Sequence, residues 1–144
     1  MNPPLFMCYY LSLGSNLGDR EQTLRLALQR IEQQIGVVLR CSSFYYSAPW
    51  GFQSDNDFCN LCCAVETTKS PLEVLSLTQS IEQALGRTRK SINGNYSDRP
   101  IDIDLIRIFD GEKELYLSLP ELTIPHPFWQ DRDFVKLPLA EILP

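Results

Sequence analysis

Two segments with helix-start chemistry sit among runs of strand character, and their alternation limits the folds open to this chain. Asp19 followed by Gln22 has capping-box spacing, and Leu24, Ala27, Leu28, Ile31 and Ile35 then recur at helical intervals until Gly36. A second helix opens with Ser70 as cap, Pro71 at the first helical position and Glu73 completing the box. Its Val74, Leu77, Thr78, Ile81, Ala84 and Leu85 share one side, and Gly86 supplies a stop. Strand character marks Cys8 to Leu13, Val37 to Tyr46 and Phe58 to Thr67, with Gly14 to Gly18 reading as a turn and Ala48-Pro49-Trp50-Gly51 opening a loop to Asp57. Beyond the polar Asn93-Gly94-Asn95, an acidic strand runs to Phe109 and turns at Asp110-Gly111 into Leu115-Tyr116-Leu117. Pro125-His126-Pro127 and Leu137-Pro138-Leu139 punctuate a tail of short helical turns. The order predicts an α+β fold of ferredoxin-like kind, with helices packed on an antiparallel-rich sheet. A chain of 144 residues, 44% hydrophobic, is expected to form one domain over 1–144 around a single core.

Chemistry concentrates in the acidic strand. Arg99-Pro100-Ile101-Asp102-Ile103-Asp104-Leu105 sets two carboxylates at strand spacing, so Asp102 and Asp104 share a face roughly 6–7 Å apart while the apolar residues take the other. Like charges so close need hard cations such as Mg²⁺, or several donors, as company. The alternative is a solvated face that is merely acidic.

Neither G-x-x-x-x-G-K-[ST] nor G-x-G-x-x-G is present, so phosphate binding falls to side chains: Arg87, Arg89 and Lys90 past the second helix, and Arg99 before the acidic strand. Cations near a helix C-terminus are also favoured by its dipole alone. The functional reading rests on their combination with the D-x-D strand, because a polyphosphate needs metals to bridge its oxygens and arginines for the remaining charge. Tyr45, Trp50, Phe52, Phe58, Tyr96, Trp129 and Phe134 cluster around loops and could enclose a planar heterocycle, unless they are core rings. Asn60, on the Phe58 face, has an amide able to pair with the edge of such a ring.

Other classes are disfavoured. A net charge of −5 lacks the positive field that nonspecific nucleic-acid binding requires, and carboxylates on a central strand oppose an RNA-binding sheet. Met1 to Leu13 has no basic leader region and is too short to span a bilayer, so a cytoplasmic location is expected. Cys59-Asn60-Leu61-Cys62-Cys63 contains a C-x-x-C, but in a strand Cys59 and Cys62 point to opposite faces, which favours buried thiols over a zinc site. The five cysteines, an odd number, argue against a disulfide framework.

Six pieces in order, Leu13-Gly14-Ser15-Asn16-Leu17, Ser43-Phe44-Tyr45, Asp57-Phe58-Cys59-Asn60, Gly86-Arg87-Thr88-Arg89, Arg99-x-x-Asp102-x-Asp104 and Pro125-His126-Pro127, give the chain a clear resemblance to the 6-hydroxymethyl-7,8-dihydropterin pyrophosphokinases. The resemblance implies a βαββαβ core elaborated into a three-layer α/β/α sandwich with mobile loops, acting as a monomer. It implies transfer of pyrophosphate from ATP, the co-substrate, to the pterin hydroxymethyl group with release of AMP. Asp102 and Asp104 would bind two Mg²⁺ ions. Arg87 and Arg99 would serve catalysis and, with Arg89, Tyr96, His126 and Arg132, contact ATP, with Gln79, Glu82 and Thr123 near the nucleotide. Phe58 and Phe134 would stack on the pterin, Asn60 would read its edge, and Ser47, Ala48 and Trp50 would line the pocket. The chain departs from the family's frequent pattern at Ser97-Asp98, where Gly-Pro is usual, and at Phe128-Trp129, where an arginine often follows His-Pro. A catalytically silent pterin- or nucleotide-binding module is the rival reading.

Overall fold

The computed structural model describes residues 5–49, 56–86 and 100–144. Its elements are β1 (Met7–Ser15), α1 (Arg20–Gln34), β2 (Val37–Cys41), β3 (Tyr45–Ser47), β4 (Phe58–Thr67), α2 (Pro71–Ala84), β5 (Asp102–Asp110), β6 (Lys113–Glu114), β7 (Leu117–Ser118), β8 (Thr123–Ile124) and α3 (Asp133–Ile142), with a 3-10 turn at Trp129–Asp131. The main sheet runs β2-β4-β1-β5-β6 with β3 also on β4, and all its pairs are antiparallel. The expected βαββαβ core is therefore present, its central strand β1 and its outer strands β2 and β5.

Both helix starts follow their sequence chemistry. The Asp19 side chain accepts the Gln22 backbone N–H, and Ser70 with Glu73 forms a full reciprocal box at 3.1 and 3.3 Å. The sheet face under these helices buries Tyr9, Leu11, Leu13, Leu61, Val65, Ile103 and Ile108 against Leu24, Ala27, Ile31, Val74 and Ile81. On the other face α3 lays Val135, Leu139 and Ile142 on Tyr10, Cys62, Ala64 and Ile106. Three layers result. Cys59 and Cys62 lie in opposite layers, all five thiols are unpaired, and burial pushes the Cys62 thiol up to about 12.

The structure differs from expectation in four places. β1 runs through Gly14 and Ser15, so the turn begins at Asn16. The stretch Val37 to Tyr46 is two strands, because at Ser42 the hydroxyl takes over the ladder by accepting the Cys62 N–H at 2.9 Å. Lys113–Glu114, not Leu115 to Leu117, returns from the turn at Gly111. Finally, Pro138 lies inside the ten-residue α3, whose buried face outweighs one missing backbone bond.

The α1-to-β2 connection passes against β4: a Cβ at Gly36 would clash with the Glu66 carbonyl oxygen. Gly36→Ala is therefore expected to cost about 3 kcal/mol, read from urea unfolding; an unchanged midpoint would contradict the close approach. The C-terminal end of α3 is anchored by Glu141, which accepts the Ser43 N–H at 3.0 Å and the Ser43 and Tyr45 hydroxyls. Backbone hydrogen bonding from Ser43, then the Tyr45 hydroxyl, holds its carboxyl below the usual range, as Ser70 does for Glu73. A carboxyl lowered in the folded state stabilises above its unfolded value and loses that contribution as pH falls through its folded value. Thermal midpoints should thus fall in mild acid, and Glu141→Gln should flatten that fall; an unaltered acid slope would contradict the anchor.

Candidate active site

The face that α3 covers carries a second set of residues farther along the strands. Antiparallel register places Gly14 opposite Asn60 on one side and Asp102 on the other, and Ser12 opposite Cys62 and Asp104. Because Ile101, Ile103 and Leu105 are buried in the layer under α1 and α2, the pleat turns Asp102 and Asp104 to the opposite face, half-buried. Continuing that alternation would turn Ile108 away from the α1/α2 layer and toward α3. A register shift between Tyr10 and Leu11 of β1 prevents this: Tyr10 faces Arg107 while Leu11 faces Leu105, so Ile106 is the extra residue and the alternation is reset. Ile108 then rejoins the first layer.

The edge of β5 away from β1 is completed by a side chain. Glu82 of α2, 3% exposed, accepts the backbone N–H of Ile103 at 2.8 Å. A buried carboxylate thus pins the peptide between the two aspartates. On the far side of β1, Asn60 is 2% exposed and donates through Nδ2 to the Tyr45 carbonyl at 3.1 Å and the Ser47 hydroxyl at 2.8 Å. Both amide hydrogens are engaged by β3, so Asn60 offers a partner only its Oδ1, an acceptor for a ring N–H. The ring of Phe58 and Oδ1 of Asn60 lie 3.4 and 3.0 Å from where a Gly14 Cβ would stand. Gly14 is the residue sequence reasoning placed in a turn, and its signal was a glycine at the end of an apolar strand run, which marks close approach.

The remaining candidates divide between the two sides of β1. Toward β3 and β4 lie Ser47 and the exposed Ala48, and Phe134 is half-buried in the first turn of α3, its ring 5.8 Å from the Arg132 guanidinium. Arg132 itself is 7% exposed and also faces the Phe128 ring at 5.6 Å. Toward β5 lie Gln79 and Thr123, on exposed surfaces of α2 and β8, both elements that pack on β5. His126 is tied to β5 through its N–H on the Ile106 carbonyl at 2.8 Å, and its Nδ1 accepts the Phe128 N–H at 3.1 Å, which assigns the proton of the neutral ring to Nε2. Trp129 leaves the aromatic set: it stacks with Arg107, at 5.2 Å, on the cluster under α3. Arg87, Arg89, Lys90, Tyr96 and Arg99 lie outside the described residues, as do Trp50 and Phe52. Among the described residues no group of three or more His, Cys, Asp or Glu forms a metal cluster.

Comparison with known proteins matches this arrangement to one family. The model for 7,8-dihydro-6-hydroxymethylpterin-pyrophosphokinase (HPPK) matches residues 10–144. A 2-amino-4-hydroxy-6-hydroxymethyldihydropteridine pyrophosphokinase of Porphyromonas gingivalis is 46% identical over 135 residues, 94% of this chain and 90% of that protein. Its Bacillus subtilis counterpart is 40% identical over 134 residues, 92% of this chain and 76% of that protein. Among solved structures, wild-type HPPK-DHPS of Plasmodium falciparum aligns with a TM-score of 0.66 at 14% identity over 92% of this chain, and HPPK-DHPS in complex with substrates aligns at 0.70, 17% and 96%. Both likenesses are likenesses of fold, and the chain spans 40% of each of those longer chains.

Replacing Glu82 by Leu removes the acceptor of a buried N–H. The expected loss is about 1–3 kcal/mol in urea unfolding, smaller for Glu82→Gln, which keeps an acceptor. A Leu variant as stable as the parent would show that the bond does not hold β5.

Proposed function

The chain belongs to the 7,8-dihydro-6-hydroxymethylpterin-pyrophosphokinase family and is an ATP-dependent pyrophosphokinase of folate biosynthesis; we propose that the two sides of β1 take its two substrates. The pterin lies on Asn60 and Phe58, with Phe134 on its other side and Ser47, Ala48 and Trp50 around it. The triphosphate lies along β5. The observation that carries this reading is the row Asn60-Gly14-Asp102, which sets the Asn60 amide and the Asp102 carboxylate two strands apart on one face, about 10 Å.

Asp102 and Asp104 fit a hard divalent cation: they are oxygen donors, they share a face, and their β1 neighbours there are Gly14 and Ser12, both small. Two Mg²⁺ ions held there would neutralise triphosphate oxygens. The protein's own groups do the rest. Arg87, Arg89, Arg99 and Arg132 take the remaining phosphate charge and His126 donates to a phosphate oxygen from Nε2, with Tyr96, Gln79, Glu82 and Thr123 on the nucleotide side, Glu82 acting through the β5 backbone. The hydroxymethyl oxygen of the pterin attacks the β-phosphorus in line, forming one O–P bond while the bond from that phosphorus to the α,β-bridging oxygen breaks. AMP leaves with the bridging oxygen, and the hydroxyl proton passes to solvent. Positioning and charge neutralisation supply the rate.

The blunted edge at β2, where Glu32 accepts the Val38 N–H at 2.6 Å and a register shift follows, supports a monomer of one domain over 1–144. Five unpaired thiols support a reducing, cytoplasmic setting. Among the described residues no helix is long and apolar enough to cross a membrane.

With Mg²⁺, ATP and the pterin alcohol, the product should be AMP. Asp102→Asn and Asp104→Asn should each lower turnover by about a hundredfold or more without lowering the thermal midpoint. ADP as product, or parental turnover in both variants, would overturn the proposal.

A further inference from the structure

Arg20 is the first residue of α1, where a cation opposes the helix dipole, so its placement is not explained by helix stability. Its contacts give another reason. Nη1 donates to the Asp57 carbonyl oxygen at 2.9 Å, the guanidinium lies 5.3 Å from the centre of the Tyr46 ring, and Nη2 is 3.8 Å from Oε1 of Glu21. The same Glu21 oxygen accepts the Tyr46 hydroxyl at 2.7 Å. One side chain therefore ties the start of α1 to β3, through Tyr46, and to the residue immediately before β4, through Asp57.

Those two segments build the heterocycle side of the site. Tyr46 stands between Tyr45 and Ser47, the two residues that take the Asn60 amide hydrogens, and Asp57 is one peptide from Phe58. Pairing of Ser47 with Phe58 and of Tyr46 with Cys59 makes them one ribbon. A second tether acts beside the first: buried Asn16 donates through Nδ2 to the Asn56 carbonyl oxygen at 3.3 Å. The direction of the Asp57 carbonyl sets the peptide plane from which Phe58 departs, so holding it fixes the direction in which the Phe58 side chain leaves the backbone. Exposed ion pairs such as Arg20 with Glu21 contribute little to stability, so the contact should be read in substrate placement.

We propose that Arg20 is a positioning residue for the pterin, clamping β3 and the entry to β4 so that Phe58 and Asn60 meet the heterocycle in a fixed geometry. This rests on the pterin reading of that compartment. In this reading Arg20 contacts neither substrate and acts through Tyr46 and Asp57.

The test is steady-state kinetics of Arg20→Ala and Arg20→Lys with each substrate varied at a saturating level of the other, with direct pterin binding to the unmodified protein followed by pterin fluorescence in the presence of a non-hydrolysable ATP analogue. Arg20→Ala should raise the KM for the pterin about tenfold, as expected for loss of a hydrogen bond from a charged donor, with kcat, the KM for ATP and the thermal midpoint close to parental values. Arg20→Lys, which can still donate to the carbonyl and stack on Tyr46, should recover most of the loss. An unchanged pterin KM in Arg20→Ala, or equal rises in both KM values, would overturn the clamp. If the unmodified protein neither binds the pterin nor forms AMP, the activity reading fails instead, and the two failures are told apart.

Discussion

The site depends on a residue with no side chain. Gly14 sits on the central strand between Asn60 and Asp102, and a Cβ there would press on the Asn60 amide oxygen and the Phe58 ring. Its bareness lets the two neighbouring strands bring an acceptor and a carboxylate to one face with only backbone between them. Strand spacing then fixes their separation, which a loop-built site could not do as rigidly. Around that row the candidate groups are held from outside: Asn60 by β3, the Asp102–Ile103 peptide by Glu82, and the His126 backbone by the Ile106 carbonyl.

The same strand must serve a site and two cores. β5 presents carboxylates at one end and Ile106 to the α3 layer at the other, while Ile103, Leu105 and Ile108 face α1 and α2. Strict alternation cannot satisfy all of these, and the bulge at Ile106 is where the conflict is resolved. Its trace in the sequence is the apolar pair Leu105-Ile106 after the regular Asp-Ile-Asp-Leu.

Local chemistry was legible and long-range geometry was not. The caps at Asp19 and Ser70, the full extent of β4 and the shared face of Asp102 and Asp104 follow from side-chain type and spacing, and the structure agrees. Gly14 read as a turn because a glycine after an apolar run looks like punctuation; only its partners on β4 and β5 make it strand. Pro138 misled for the same reason, since the tertiary burial of Val135, Leu139 and Ile142 keeps α3 helical. The amide of Asn60 looked able to donate and accept, but its hydrogens are taken by residues 13 and 15 positions earlier. That is invisible without the register of β3.

The central claim is that the divalent-ion site and the heterocycle-reading amide share one sheet face two strands apart. Paramagnetic broadening tests it directly: Mn²⁺ is added with a non-hydrolysable ATP analogue, and the side-chain amide signal of ¹⁵N-labelled Asn60 is followed. At about 10 Å the Asn60 signal should broaden strongly, as should backbone signals of Gly14 and Ser12. A sharp Asn60 signal alongside broadened signals elsewhere would contradict the account.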